Sequence, residues 1–338
     1  MNPLRAWNRF WFAPVSARPL GVFRIVFGLL ILANLALVAC DLDFWYTDAG
    51  LMQGDEAAVT AGPLRPSFFT HYQDPLSVRV GLGLVAGTAV LFTLGWRTRI
   101  VSVLLWIGML SFYNRNLLTN CGPDQVMMIT TFYLMLAPCG AAYSLDARRA
   151  ARVRGTLAEP LILPWAQRLM QLQLCLIYFV TAFLKSTGKM WANGTALHPI
   201  LFNHEVGMLD FEWLAAHTLV INFMAHAALL LEFALVFFLW FRPTRRWVAL
   251  LGVALHVGIW PLVNVPLFGE QMTSLYILFL APDELSAVLS IFRPSYWLGG
   301  QATDAAVVTG RIDPAHGLRG WRQLELAFDA EAARVGSA

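Results

Sequence analysis

Charge is what this sequence has least of. Lys, Arg, Asp and Glu together make up 13% of its 338 residues, while hydrophobic residues make up 58%. A soluble domain carries about 25% charged and about 45–50% apolar residues. With roughly half that charge, too little polar surface exists to cover a water-soluble globule. The shortage excludes a soluble enzyme, a disordered chain and a nucleic-acid binder with a basic face. Cysteine is also sparse. Cys40, Cys121, Cys139 and Cys175 form no CxxC pair and show no metal-ligand spacing, so no disulfide framework follows. No metal is expected either, since the His and Glu of the apolar runs lack the i, i+3 or i+4 spacing that builds a bundle metal site. No internal repeat is visible, which disfavours an inverted-repeat transporter. Lysine is nearly missing, with two residues, Lys185 and Lys189, against 22 arginines.

What is present is long apolar runs. Mean hydropathy is +0.58. A spanning helix needs about 20 mostly apolar residues. Eight runs qualify or come near: 19–41, 77–96, 99–113, 124–141, 165–185, 217–241, 245–264 and 266–282. The expected fold is therefore all-α, a polytopic integral membrane bundle of about eight helices spanning 19–282. Residues 1–18 mix Arg5, Arg9 and Arg18 with Trp7, Phe10, Trp11 and Phe12 and lack a small-residue cleavage site. They read as an interfacial amphipathic segment. Residues 283–338 are more polar and read as a cytoplasmic tail.

Under eight spans, both termini share one side, and that side holds 17 of the 24 basic residues. The positive-inside rule then places the termini in the cytoplasm and the segments 42–76 and 186–216 outside. Trp45, Trp191 and Trp213 fall at outer span ends, with Trp96, Trp165, Trp240 and Trp247 at inner ones, as in an aromatic belt.

Polar residues inside apolar runs are the candidate functional groups. In 165–185, Arg168, Gln171, Cys175, Tyr178, Ala182 and Lys185 recur at spacings of three and four, which puts them on one helix face. This stripe is either a polar seam between helices or part of a site. Lys185 ends it. An arginine keeps its proton in a protein, whereas a desolvated lysine can lose it and act as a base; the bland alternative is an interfacial lysine that snorkels. Arg24, His226, Glu232 and His256 are further intramembrane polar groups. Glu232 is expected to face the bundle with a polar partner, Arg24 or His256. Between spans three and four, Asn114, Arg115, Asn116 and Asn120 supply more hydrogen-bonding groups than a short turn needs, which suggests a polar outer pocket. Asp124 fits a helix cap. Asn193-Gly194-Thr195 matches a glycosylation sequon but reads better as a turn.

These residues, in order, resemble a known family. Phe23-Arg24-Ile25 with Gly28, Asn114-Arg115-Asn116, Asn120-x-Gly122-x-Asp124, Pro138 and Tyr143-Ser144-Leu145-Asp146 come first. Gln167-Arg168-Leu169, Gln171-x-Gln173, Tyr178-Phe179, Lys185, Trp191, Gly194-Thr195-Ala196-Leu197, Glu232 to Phe238, Arg242, His256-x-Gly258 and Phe268 follow. Together they are similar to the HTTM membrane proteins, relatives of vitamin K-dependent gamma-carboxylase, over roughly residues 18–282. The resemblance implies a bacterial inner-membrane protein with a reduced quinone, of the vitamin K or menaquinol type, as cofactor. It implies Lys185 as the base that deprotonates the quinol, and matches His256 to a family histidine; on the enzyme reading Asn114, Arg115, Asn116, Asn120, Tyr178 and His256 shape the pocket around the ligand. The chain departs from the carboxylase at Asn120-Cys121-Gly122, where an Asn-His pair is expected, and has no room for a large propeptide-binding domain. Expected partners are membrane lipid, a quinol and a protein or peptide substrate of unspecified kind, with no nucleic acid. The alternative to an enzyme is a maturation or scaffold protein, partnering peptide maturation or thiol–disulfide proteins, in which the polar seam only holds helices together.

Overall fold

The computed structural model describes residues 2–51, 65–155, 159–201 and 212–291. The inner stretches of the two long segments between spans and the tail beyond residue 291, with Arg293, Arg311, Arg319, Arg322 and Arg334, lie outside the described residues. The chain divides into two compact units, Met1–Leu285 and Ser286–Ala338.

Helices dominate. In order they are α1 Pro3–Phe12, α2 Arg18–Cys40, α3 Leu42–Tyr46, α4 Pro75–Leu94, α5 Thr98–Arg115, α6 Gly122–Leu136, α7 Leu145–Arg154 and α8 Trp165–Thr187. Then follow α9 Lys189–Ala192, α10 His198–Leu201, α11 Glu212–Ala215, α12 Thr218–Phe238, α13 Arg242–Ile259, α14 Phe268–Ser274 and α15 Pro282–Ile291. A 3-10 segment, Leu275–Phe279, continues α14. The one ladder among the described residues pairs Val15 with Ile162 and Ser16 with Leu161, antiparallel. It ties the chain entering α2 to the chain entering α8.

Among the described residues, four helices are long and apolar enough to cross a membrane: α2, α4, α8 and α12. The count of eight is not confirmed, for physical reasons that differ between segments. The 15 residues of α6 reach about 22 Å at 1.5 Å per residue, short of a hydrocarbon core of about 30 Å. Arg242, Arg245 and Arg246 open α13. The run 266–282 breaks into a seven-residue helix and a 3-10 segment.

The long helices carry apolar residues all round, so hydropathy alone does not say which face turns inward. Packing does. α2 lies against α4, α4 against α5, α5 against α6, α8 against α12, and α12 against α13. Phe23, Phe27 and Ile31 of α2 are fully buried with Ala89 and Phe92 of α4. Gly28 permits the close approach of these two helices: a Cβ there would sit 2.2 Å from Thr93 Oγ1. Leu84, Phe183, Phe223 and Leu230 point outward, a surface suited to lipid.

Arg24, also on α2, is fully buried. Its guanidinium donates to the carbonyls of Cys139 (2.9 Å), Tyr143 (2.6 Å), Ala142 (3.3 Å) and Thr93 (3.4 Å). The five-donor fork of arginine thus satisfies the turn that follows α6. Arg168 stacks on Phe10 and Trp240 and donates to Gln171 Oε1 at 2.9 Å, which fastens α1 to the start of α8. Both arginines hold structure.

Asp146 opens α7 but caps α5. Its carboxylate accepts from the backbone N–H of Arg97 and Thr98 at 2.8 Å each and from Thr98 Oγ1 at 2.9 Å. Partial burial works to raise its pKa, but the hydrogen bonds from Thr98 and Arg97 outweigh it and hold the carboxyl below its ordinary range. A carboxylate so depressed adds stability that is complete above the unfolded-state value and is lost as pH falls through the folded one. Asp146→Ala should therefore lower stability at pH 7 by about 1–2 kcal/mol, as loss of a helix cap does. In thermal unfolding of detergent-purified protein the gap to wild type should close below about pH 4. A gap that stays constant down to pH 3 would contradict the assignment.

Candidate functional site

The polar stripe of α8 faces the bundle as its spacing requires. Of its residues Gln171, Cys175, Tyr178 and Ala182 are buried, with Gln167 buried beside them, while Arg168 and Lys185 at the two ends are half-buried. Gln167 and Gln171 both donate to the carbonyl of Leu278, each at 2.7 Å, and so cap the 3-10 segment. About two to four turns further along, the stripe changes character. Tyr178, Thr181 and Lys185 meet Glu232 of α12, His256 of α13 and Tyr276 of the 3-10 segment.

Two sets of contacts make up this cluster. In the first, Lys185 Nζ forms an ion pair with Glu232 Oε1, and Thr181 Oγ1 donates to Glu232 Oε2 at 3.3 Å. Glu232 is buried, while the Lys185 side chain keeps 29% of its surface and lies 5.0 Å from the Trp191 ring centre. The lysine thus reaches the outer edge of the bundle under an aromatic ring, a favourable place for a cation. In the second set, Tyr178 Oη is 2.8 Å from His256 Nε2 and 2.6 Å from Tyr276 Oη. All three side chains are buried.

Glu232 therefore faces the bundle with a polar partner, as expected, but neither anticipated partner is the right one. Arg24 is committed to the carbonyls after α6, and His256 to Tyr178. The partner is Lys185.

A cavity of ≈ 210 Å³ opens beside His256, walled by Val253, Val257, Trp260, Val265 and Phe268. Lys185 is not part of its lining, nor are Asn114, Arg115, Asn116 and Asn120. Those four form a separate cluster at the end of α5. Asn114 donates to the Pro66 carbonyl at 2.8 Å, Asn116 to Trp45 at 2.8 Å, Asn120 to Tyr113 at 2.7 Å, and Arg115 Nε to Tyr46 at 3.0 Å. Their hydrogen bonds hold the chain around α3 and the segment before α4. The space beside Asn120, ≈ 30 Å³, holds a water or two and no ring. The structure brings Lys185, Tyr178, Glu232 and His256 together and leaves the asparagine group elsewhere.

His226 is exposed, with Nδ1 2.8 Å from the Asn222 carbonyl and Nε2 3.3 Å from that of Ala192. It docks the turn at Asn193-Gly194-Thr195, where Gly194 takes φ +74, in agreement with the turn reading. No cluster of three His, Cys, Asp or Glu side chains suited to a metal occurs among the described residues.

Three residues of the cluster carried no mark in the sequence. Thr181 sits one position off the stripe. Tyr276 lies in an apolar run, and its role depends on a 3-10 segment that places its hydroxyl at Tyr178. Gly269, whose Cβ would meet His256 Cβ at 3.1 Å, leaves room beside the imidazole.

Helices long and apolar enough to span a bilayer mark the chain as a membrane protein, and a buried polar cluster lies between them. The family model of the HTTM domain matches residues 12–283, most of the chain, and the protein belongs to that family. It is similar to the uncharacterized protein YitO of Bacillus subtilis (strain 168), with 22% identity over 217 residues, 62% of this chain and 69% of that protein. No solved structure matches.

Proposed function

We propose that this is a multi-pass protein of a bacterial inner membrane, related to vitamin K-dependent gamma-carboxylase, that takes a proton from a lipid-soluble quinol at Lys185. The observation that carries the reading is the Lys185–Glu232 pair, whose lysine lies at the partly exposed edge of a buried polar cluster. A phenol-like hydroxyl approaching from the bilayer meets the lysine before it meets any other ionisable group of the cluster. The Lys185 ammonium first releases its proton through its exposed edge, and the amine so formed beside the Glu232 carboxylate accepts the hydroxyl proton, leaving a quinolate and the ammonium of the ion pair. Glu232 stabilises that ammonium, and the apolar surroundings strengthen the attraction. Trp191 offers the ring a flat neighbour. Eight membrane crossings with both termini in the cytoplasm go with this reading, on the arginine asymmetry, and put Lys185 near the outer face.

The test compares Lys185→Arg with Lys185→Met in nanodiscs holding a menaquinol analogue under anaerobic conditions. Wild type should give the quinolate absorbance. Both variants should lose it while remaining monodisperse, because a guanidinium cannot take the proton. An undiminished quinolate signal in Lys185→Arg would contradict the base role.

A second reading has its own support. The ion pair and the Thr181 bond join α8 to α12 and leave both charges satisfied, which is what a helix tie in a scaffold requires. Under it the Arg variant keeps whatever function the protein has.

A further inference from the structure

The cavity beside His256 is distinct from the Lys185 edge, and one polar atom in it has no partner. His256 is 6% exposed, and its Nδ1 makes no hydrogen bond. A buried polar group left unpaired in an apolar setting is costly and calls for an explanation. Nδ1 lies on the side of Gly269, 3.7 Å from where a Cβ there would stand, and both residues line the cavity.

The protons can be placed by counting donors. Tyr276 Oη has Tyr178 Oη as its hydrogen-bond partner, and Tyr178 Oη has His256 Nε2 as its other. If Tyr276 donates to Tyr178 and Tyr178 donates to Nε2, every hydroxyl proton is used. A neutral imidazole then carries its own proton on Nδ1. The reverse order leaves the Tyr276 proton buried without an acceptor and Nδ1 unpaired as well. A charged imidazole would also have its proton on Nδ1. Each satisfied arrangement leaves one buried N–H donor of His256 at the wall of a chamber that is mainly apolar, with Glu270 and Thr273 also in its lining.

We infer that this cavity binds an apolar molecule through a single carbonyl oxygen, held by the Nδ1–H of His256, with Tyr178 and Tyr276 as positioning residues that fix the tautomer. The size suits a ring: an apolar cavity of about 150 Å³ accepts benzene, and this one is larger at ≈ 210 Å³. A longer tail would lie outside it. The carbonyl could come from a bilayer lipid ester or from a diffusible cyclic ketone. The assignment stands whether or not Lys185 acts as a base.

The experiment uses the full chain in nanodiscs and cyclohexanone labelled with 13C at its carbonyl, with methylcyclohexane as the match lacking the oxygen. Infrared difference spectra against empty discs should show a bound carbonyl band shifted to lower frequency. His256→Asn puts an amide N–H close to the Nδ1 position and should retain the band. His256→Gln keeps a group near Tyr178 but none at Nδ1, and should lose the band and about tenfold in affinity, the worth of one hydrogen bond. Tighter binding in diether than in diester discs would assign the natural occupant to a lipid ester, and equal binding to a diffusible ketone. An unshifted carbonyl in wild type, affinity equal to methylcyclohexane, or a band that survives in Gln but not in Asn would overturn the inference.

Discussion

Lys185→Met should destabilise the protein more than Glu232→Gln, by about 3–5 kcal/mol against roughly half that. Breaking a buried pair by removing one partner is costly because the other charge is left uncompensated, and the cost follows the burial of the survivor. The survivor of Lys185→Met is Glu232, with a side chain only 7% exposed, whereas the survivor of Glu232→Gln is Lys185, at 29% and with a four-carbon stem that can carry its head outward. Thr181 offers the carboxylate one further donor at 3.3 Å, too little to replace an ammonium. The double variant Lys185→Met/Glu232→Leu should recover much of the loss, since an apolar pair of similar volume often does no worse than a buried ion pair. Thermal unfolding in one detergent ranks the three variants. A double variant less stable than Lys185→Met would show that the pair is not where the loss arises.

Arg24→Met should have the second large effect, chiefly on folding yield. It strips the donor from the carbonyls of Cys139, Ala142 and Tyr143, the first two of them in buried contacts. Hydrogen bonds to a charged group contribute about 1.5–3 kcal/mol each, so the loss approaches the whole stability of a typical domain. Arg24→Lys should be intermediate, because a point-like ammonium cannot span the same set of oxygens as a planar fork. Monodisperse yield after detergent extraction reads this directly. A wild-type yield for Arg24→Met would remove Arg24 as the clamp of this turn.

Legibility in the sequence followed the range of the interaction. The one-sided face of α8 was readable because its residues recur every three or four positions, a purely local property. Tyr178 and Lys185, seven apart, had to share a side. The inward placement of Glu232 was readable from the expense of an acid among apolar residues, but its partner was not, because the choice among Lys185, Arg24 and His256 depends on which helices pack. The same limit explains the asparagine group. Asn114, Asn116 and Asn120 looked like a pocket because the carbonyls of Pro66 and Trp45, far away in the chain, were invisible as acceptors. Tyr276 escaped notice because an apolar stretch gives no sign that it will break into a short helix and a 3-10 segment. The HTTM resemblance, carried by ordered short motifs over most of the chain, was readable and matches the family assignment.

The central claim is that a quinol-type ring docks at the Lys185 edge of the cluster, and a density map tests it most directly. The measurement is cryo-electron microscopy of the full chain in nanodiscs saturated with a reduced menaquinone analogue. The predicted result is ring density against Trp191, with one ring oxygen within hydrogen-bonding distance of Lys185 Nζ and the Lys185–Glu232 pair intact. Lipid density alone at that edge, with the analogue absent or bound on another face, would contradict the account.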